Sequence, residues 1–316
     1  MKCLAIGICQ LEALTTILKQ IPGFTDTYTE IVEKVIFLIS EEEIQRVLDE
    51  VVPEMDLVLS QPVSRNYRDN EIFSSHTLRA AVTAAGGKHY IIANCYCTVY
   101  DPLPFQTTDI NGNINSYELI SYFPAISFFS LLPDVWPDGN EDGNSLQEDK
   151  VKQAAIDWCN IDAYVPATIL RNVMRTMEEL KSREKKVFEE DFPVDITISD
   201  FIEKHYRELY LFHTYNHPTN LLLIELAKKL CTKLNIEFVS PNLSRELLGL
   251  DSLPPCPSVY YHLKMSFPYP KIIIGGFEYE TLPAMTKYCK VLSKVKDEPL
   301  IQKWKDCIAW KKSLLE

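Results

Sequence analysis

The first residues suited to chemistry are Gly7-Ile8-Cys9-Gln10, which end a short apolar run, Lys2 to Gly7. Gly7 permits a tight turn, and Leu11 to Lys19 repeats apolar residues with a helical period, so Cys9 is predicted near a helix start. Unpaired N–H groups and the helix dipole favour a thiolate there, which predicts a lowered pKa for Cys9. With the Gln10 amide, the same groups could instead stabilise an oxyanion. A buried structural cysteine is the alternative interpretation.

A second polar turn, His213 to Pro218, follows an apolar stretch. Pro218 suits the first position of a helix, so His217 is predicted at or beside the N-cap of the helix Thr219 to Leu234. A neutral imidazole there can act as a general base for a hydroxyl or a thiol, and the helix dipole is expected to lower its pKa. The alternative is that His217 caps the helix or bonds a backbone carbonyl. His213 is predicted to pack rather than to take part in chemistry.

A third segment, Gln61 to Arg68, follows an apolar run and contains Arg65, Tyr67 and Arg68. Arginine side chains at a strand end favour anion binding, even in a chain with a net charge of -12. Ordinary surface arginines are the alternative interpretation.

Charge and cysteine content narrow the function class. The net charge of -12 over 316 residues argues against general nucleic-acid binding, although it leaves room for a phosphate-bearing cofactor. The nine cysteines are scattered without a Cys-x-x-Cys pair or a metal-ligand spacing, which predicts reduced thiols and no metal site. No window is long enough for a membrane span, so the protein is predicted to be cytoplasmic. The sequence does not determine the oligomeric state.

Alternating strand and helix patterns must position these residues. Apolar runs predict four strands, at Lys2 to Gly7, Val35 to Ile39, Met55 to Ser60 and His89 to Asn94. Between them lie helical patterns at Leu11 to Lys19, Glu41 to Val52 and Phe73 to Ala85. This order predicts an α/β fold with an open, mainly parallel sheet flanked by helices. Ligands of such sheets bind beyond the carboxyl ends of the strands, where Cys9 and His217 are both expected.

The rest of the chain is less regular. Residues 100–146 are rich in Pro, Asn, Asp and Gly, with an aromatic segment at Glu118 to Phe129. Later patterns predict a strand at Leu209 to Phe212 and several helices: Lys150 to Trp158, Ala167 to Glu190, Ser199 to Arg207, Pro283 to Val295 and Leu300 to Leu315. We expect one α/β domain over residues 1–235 and a helical extension over residues 236–316 that packs on it.

Taken in order, these segments resemble the WcbI family of capsular polysaccharide-biosynthesis acetyltransferases. The family has a strand followed by Gly-Asn-Cys-Gln, similar to Gly7 to Gln10, and then a strand ending in Gln before Tyr-Arg, similar to Gln61 and Tyr67-Arg68. A central Pro-x-x-x-Phe leading to Pro-Asp is similar to Pro124 to Asp134. An Asn-His-Pro turn before a helix is similar to Asn216 to Pro218. The resemblance spans roughly residues 2 to 235.

Two residues depart from the family pattern. Ile8 stands where the family has Asn, which removes a donor beside Cys9, and Leu132 stands where a His is expected before Pro133-Asp134. The resemblance implies an architecture similar to that of SGNH hydrolases, coenzyme A or acetyl-coenzyme A as cosubstrate, and acetyl transfer to a sugar hydroxyl. The residue roles it implies are Cys9 and His217 as catalytic residues, Gln10, Gln61, Arg65, Tyr67 and Arg68 as coenzyme contacts, and Asn216 and Asp134 as substrate contacts.

The leading hypothesis is therefore an acyltransferase that takes an acetyl group from a small-molecule donor to a glycan acceptor. Cys9 either carries the acyl group covalently or shapes the oxyanion site while His217 activates the acceptor directly. In the leading hypothesis Arg65, Arg68 and Lys264 are expected to hold coenzyme phosphates. Two alternatives stay open: a Cys/His-dependent esterase or thioesterase, and a non-catalytic glycan- or nucleotide-binding protein.

Overall fold

A computed structural model describes residues 1–100, 148–188 and 192–292 of the chain. Two compact units share these residues, and each is built from separate segments. The first unit comprises Met1–Tyr96, Met177–Lys204 and His217–Leu248, and the second comprises Cys97–Thr176, His205–Asn216 and Gly249–Glu316. The domain boundary expected at residue 235 stays a prediction.

The first unit is built on a four-stranded parallel sheet in the order β2-β1-β3-β4. Its strands are β1 Lys2–Gly7, β2 Glu30–Val35, β3 Leu57–Ser60 and β4 Lys88–Ile91. This order and direction confirm the predicted α/β fold with an open parallel sheet. The register places Ile6 opposite Ser60 and Gly7 opposite Val35, so the carboxyl ends of β1, β2 and β3 form one edge.

The second strand was predicted at the wrong place. Ile36 to Ile39 form a turn after β2, and the strand itself is the stretch Glu30–Val35, of which only Val35 lies in the predicted segment. β2 is an edge strand without a fully buried residue, and its charged residues interrupt the apolar ones, so it does not form the continuous apolar run expected of a strand in a parallel sheet. The apolar residues Ile36 and Ile39 are buried in the core from the turn rather than from a strand.

The described helices are α1 Cys9–Leu18, α2 Pro22–Thr27, α3 Glu41–Arg46, α4 Ser75–Ala85, α5 Glu148–Cys159, α6 Pro166–Lys185, α7 Ser199–His205, α8 Asn220–Leu234, α9 Pro257–His262 and α10 Thr281–Leu292. Most lie within a few residues of their predicted positions. α3 ends earlier than expected, because the chain passes through a π-helical turn, Val47–Val51, and a 3-10 turn that contains Pro53. Among the described residues, no helix is both long and apolar enough to cross a membrane.

Helices cover both faces of the sheet. Leu4, Ile6 and Val58 pack on one face against α3 and α4. On the other face α1 packs against α8, and beyond their C-terminal ends Gly23 approaches Ile236 closely. Because the segments that follow the two helices are in contact, we infer that α1 and α8 run in the same direction, with their N-terminal ends at the same end of the unit. This end is the carboxyl edge of the sheet, since β1 leads directly into α1.

The second unit contains a β-hairpin that the sequence analysis missed. β7 Ile272–Ile274 and β8 Phe277–Tyr279 pair antiparallel across Gly275 and Gly276, both with positive φ. A Gly-Gly pair between apolar runs is a hairpin signal that could have predicted it. Near Tyr210, a short strand β5 Phe212–Thr214 replaces the predicted Leu209 to Phe212, and β6 is His217–Pro218 in the first unit. The predicted elements Glu118 to Phe129 and Leu300 to Leu315 lie outside the described residues.

The turn from β1 to α1 is tightly packed. A Cβ on Gly7 would lie 2.8 Å from the Oε1 atom of Gln61 and 2.8 Å from the Cδ2 atom of Leu11. Gln61 Oε1 accepts a hydrogen bond of 3.0 Å from the backbone N–H of Ile8. The absence of a side chain at Gly7 therefore lets Gln61 reach the backbone just before Cys9.

We expect Gly7→Ala to lower the free energy of unfolding by about 2–3 kcal/mol, because the added methyl group must displace buried Gln61 or Leu11. Urea denaturation measures this. Gly86→Ala is the matched control: it has open space around the new Cβ and introduces only the strain of its positive φ, about 1 kcal/mol. A Gly7→Ala variant as stable as the wild-type protein would contradict the role assigned to this close approach.

Candidate active site

Cys9 is the first residue of α1, at the carboxyl end of β1, as the sequence predicts. Ile8 is the N-cap in an extended conformation, and its carbonyl accepts the N–H of Leu11 at 2.9 Å. The half-buried Cys9 side chain interacts with the backbone N–H groups of Cys9 and Gln10. A thiol in this position faces the positive end of the helix, where donors are available for a developing negative charge.

The expected lowering of the Cys9 pKa is wrong. Burial raises the pKa of the Cys9 thiol above its ordinary value, and the nearby Glu12 carboxylate raises it further. The hydrogen bonds from the N–H groups of Gln10 and Cys9 lower the pKa, but their effect is smaller than that of burial. Cys9 therefore rests as a neutral thiol at pH 7, and its conversion to a thiolate needs a base.

A buried network of two glutamines fixes the turn that carries Cys9. The Gln10 side chain donates to the Cys95 carbonyl at 3.2 Å and accepts the Cys95 N–H at 2.9 Å. Gln61 donates through Nε2 to Gln10 Oε1 at 3.2 Å while its own Oε1 accepts the Ile8 N–H. Both glutamines are almost inaccessible to solvent. They hold three chain segments together at this edge, and direct contact with a coenzyme stays a prediction for both.

Arg68 is engaged with the protein backbone. Its guanidinium donates to the carbonyl oxygens of Ile39 at 2.8 Å and Phe37 at 2.7 Å, in the turn that follows β2. The same group lies over the rings of Tyr67, at 5.5 Å, and Phe73, at 5.3 Å. Arg68 also has a φ of 56°, in the left-handed region. These contacts assign it a structural role that the sequence analysis did not foresee.

Arg65 lies in the same loop and makes weaker contacts. It pairs with Glu71 at 3.1 Å and with Nδ1 of His76 at 2.8 Å. The arginine and glutamate side chains remain 40% and 52% exposed, so this ion pair contributes little to stability. The Tyr67 ring packs edge-on against Phe73 at 5.8 Å. Coenzyme contacts by Arg65, Tyr67 and Arg68 stay predictions.

His217 lies before the start of α8, but farther from it than predicted. The helix begins at Asn220 with Thr219 as N-cap, so Pro218 is outside the helix and His217 does not cap it. The Glu246 carboxylate accepts the first exposed N–H of this helix, that of Asn220, at 2.7 Å. The error has a simple cause, since a proline can also precede an N-cap. Half-buried His217 therefore stands in the segment leading into α8, at the end of the unit where Cys9 begins α1.

The structure describes only some of the remaining predicted site residues. The Asn216 side chain accepts a hydrogen bond from the Thr214 hydroxyl at 2.9 Å. His213 is buried and bonded to Ser252 at 3.0 Å, in agreement with the packing role expected for it. Lys264 is exposed. Asp134 and Leu132 lie outside the described residues, together with the rest of the Pro124 to Asp134 motif. Within the described ranges, no group of three His, Cys, Asp or Glu side chains is arranged to hold a metal ion.

Two residues near Cys9 were missed by the sequence analysis. Cys95 contributes its backbone to the glutamine network, and neighbouring Asn94 donates through Nδ2 to the Pro62 carbonyl at 3.3 Å. The position of Asn94, at the end of a predicted strand of a parallel sheet, was a usable signal. Backbone contacts such as those of Cys95 have no counterpart in residue type and could not have been found in the sequence.

The raised pKa makes a prediction about the alkylation of Cys9. The rate of modification by iodoacetamide should stay low at pH 7 and rise with pH through a midpoint above that of a free thiol, because only the thiolate reacts. Peptide mapping by mass spectrometry separates Cys9 from exposed Cys159, which is the internal reference. A Cys9 midpoint below that of Cys159 would show that the helix N-terminus outweighs burial.

The arginine contacts predict different effects for two substitutions. Arg68→Ala should lower the free energy of unfolding by about 1–3 kcal/mol, because two carbonyls lose charge-assisted hydrogen bonds. Arg65→Ala should change it by less than about 1 kcal/mol, because its ion pair is exposed. Chemical denaturation of both variants tests this. Equal stabilities would remove the structural role of Arg68 and leave both residues as surface arginines.

Comparisons with known proteins identify the family and the fold of the chain. The family described as "Polysaccharide biosynthesis enzyme WcbI" matches residues 2–134 and 144–238. A solved structure of WcbI, described as a native protein without a disulfide bond between coenzyme A and one of its cysteines, has a TM-score of 0.75 to this chain and 22% identity. The alignment covers 99% of this chain and 96% of that one and shows a common fold. No curated protein matches the chain. The chain belongs to the WcbI family of polysaccharide biosynthesis enzymes.

Proposed function

We propose that the protein transfers an acyl group, acetyl in the simplest case, from a coenzyme A thioester to a hydroxyl group of a sugar or polysaccharide precursor. Family membership supports an enzyme of polysaccharide biosynthesis. The description of the related WcbI structure supports a cysteine that lies next to coenzyme A in that protein. The corresponding chemistry in this chain is assigned to Cys9 and His217.

The observation that carries the proposal is the environment of the Cys9 side chain. Its sulfur interacts with the N–H groups of Cys9 and Gln10 at the start of α1, and β1 ends two residues earlier. A thioester bound here would place its carbonyl oxygen near fixed donors, which are suited to a tetrahedral oxyanion. The Gln10–Gln61–Cys95 network keeps these donors in place without reorganisation during the reaction.

The raised pKa of Cys9 favours direct transfer over a covalent route. In direct transfer, His217 accepts the proton of the sugar hydroxyl while the oxygen of that hydroxyl bonds to the thioester carbonyl carbon. Collapse of the tetrahedral intermediate breaks the carbon–sulfur bond, and the coenzyme thiolate leaves and takes the proton back from the imidazolium. Cys9 remains a thiol throughout and shapes the oxyanion site.

In the covalent route Cys9 loses its proton to a base and attacks the thioester, which releases coenzyme A and leaves an acyl-cysteine. The sugar hydroxyl then attacks this second thioester with His217 as base. The neutral thiol and its burial oppose the first step. The two routes therefore differ in what the Cys9 sulfur does, and a substitution at this atom separates them.

The proposed coenzyme contacts divide by function. Arg65 is the proposed direct partner for the phosphates, since its exposed pair with Glu71 is readily exchanged for a doubly charged phosphate. Arg68 holds the turn between β2 and α3, so we assign it an indirect contribution. Acceptor contacts are assigned to Asn216 and Asp134 on the basis of the family motifs alone.

We expect acetyl-coenzyme A to bind in the micromolar range by calorimetry, and Arg65→Ala to weaken binding about tenfold through the loss of one charge-assisted contact. Lys88→Ala is the control, because exposed Lys88 is the first residue of β4 and therefore lies at the opposite, amino edge of the sheet. Absence of binding at millimolar coenzyme would overturn the assignment of the acyl donor.

For catalysis we expect His217→Gln to lower kcat of acetyl transfer by 10²- to 10⁴-fold, the usual contribution of a general base, with unchanged binding of the donor. His205→Gln is the control.

In the direct route Cys9→Ser retains most of the turnover and no acyl-enzyme is trapped by mass spectrometry. Trapped acyl-Cys9 in the wild-type protein, with turnover abolished by Cys9→Ser, would establish the covalent route. Release of acetate at the same rate without any sugar would instead identify a thioesterase.

A further inference from the structure

Asn94 holds a buried acceptor atom for which the described part of the chain supplies no donor. Its Oδ1 atom is buried, and it accepts no hydrogen bond from the residues that the structure describes. Buried carbonyl oxygens in folded proteins are nearly always paired, because an unmatched acceptor loses its hydration without compensation. An acceptor of this kind next to a candidate active site therefore points to a donor on the ligand.

The orientation of the Asn94 amide is fixed by its other end. Nδ2 donates to the carbonyl oxygen of Pro62 at 3.3 Å. Reversal of the amide would place Oδ1 against that carbonyl, and two acceptors facing each other repel. The atom presented by Asn94 is therefore the oxygen, and it can receive an N–H or O–H group but cannot stabilise an oxyanion.

The neighbours of Asn94 place it beside the Cys9 turn. The next residue, Cys95, is bonded through both backbone groups to Gln10, which directly follows Cys9. Pro62 directly follows Gln61, which accepts the N–H of Ile8. Asn94 is thus anchored between the two segments that hold the start of α1. Its flanking residues Ala93 and Cys95 are buried, whereas Asn94 itself is only half-buried.

We propose that Asn94 Oδ1 binds the amide N–H nearest the sulfur in the pantetheine arm of the acyl donor. This inference rests on the proposed function and names a contact within it. In coenzyme A thioesters two methylene groups separate the sulfur from this N–H. When the sulfur of the acyl donor lies at Cys9, its first amide therefore lies among the residues around the Cys9 turn, which include Asn94. An amide N–H entering a buried site must find an acceptor, and Asn94 supplies one. The contact selects pantetheine thioesters over simple thioesters and orients the reacting carbonyl.

The test compares two ligands that differ at this N–H alone. S-methylpantetheine is titrated by calorimetry against its analogue in which an ester oxygen replaces the N–H nearest the sulfur. Both are thioethers, so neither reacts with Cys9. We expect the wild-type protein to bind the amide about tenfold more tightly than the ester, and Asn94→Ala to reduce this ratio to about one.

Asn242→Ala, at an exposed position, should keep the wild-type ratio and serves as the control. Asn94→Ala also removes the hydrogen bond to the Pro62 carbonyl, but that effect weakens the binding of both ligands equally and leaves their ratio unchanged. An amide-to-ester affinity ratio near one in the wild-type protein, or a ratio that Asn94→Ala does not change, would overturn the contact assigned to Asn94. If coenzyme A still binds in that case, the proposed function stands. Failure of the wild-type protein to bind coenzyme A or either ligand would overturn both.

Discussion

The pairing of one buried glutamine side chain with the backbone of a distant residue holds the candidate site together. Gln10 satisfies the N–H and the carbonyl of Cys95, residues 85 positions apart in sequence, and Gln61 completes the network. The Cys95 backbone lies four residues beyond the end of β4, and the Gln10 amide pairs with both of its polar groups as a strand partner would. Loss of this pairing would leave buried polar groups unmatched on both sides and release the start of α1.

The sequence predicts the parallel sheet and the position of Cys9 because both depend on local pattern. Lys2 to Gly7 and Leu11 to Lys19 change period at a glycine, and this change alone locates the turn. The sequence does not predict β2, since the pattern of an exposed, charged edge strand cannot be told from that of a loop. Nor does the sequence predict the sign of the Cys9 pKa shift. That sign depends on how much surrounding chain buries the thiol, which is a tertiary property. The structural role of Arg68 was missed for the same reason, because its partners are backbone carbonyls of a turn 29 residues away.

A neutral thiol beside helix N–H donors changes what a cysteine at a strand end implies. The donors would stabilise a thiolate if the sulfur were solvated, and burial outweighs them. The same donors remain available to a carbonyl oxygen that acquires charge only during the reaction. A site of this kind is complementary to a transient anion rather than to a resting one, which is the arrangement that the proposed acyl transfer requires.

The hydrogen bonds between Arg68 and the turn after β2 have a consequence for substitutions at the exposed side chains of that turn. In the turn after β2, Arg68 bonds the main-chain oxygens of Phe37 and Ile39, and the side chains of Phe37 and Leu38 are 46% and 74% exposed. Substitutions at Phe37 and Leu38 leave these hydrogen bonds intact, so the path of the turn does not depend on which side chains it carries. A substitution at Phe37 or Leu38 can therefore change the chemical character of this surface, which follows the strand next to β1, while the hydrogen bonds of Arg68 to the main chain are kept.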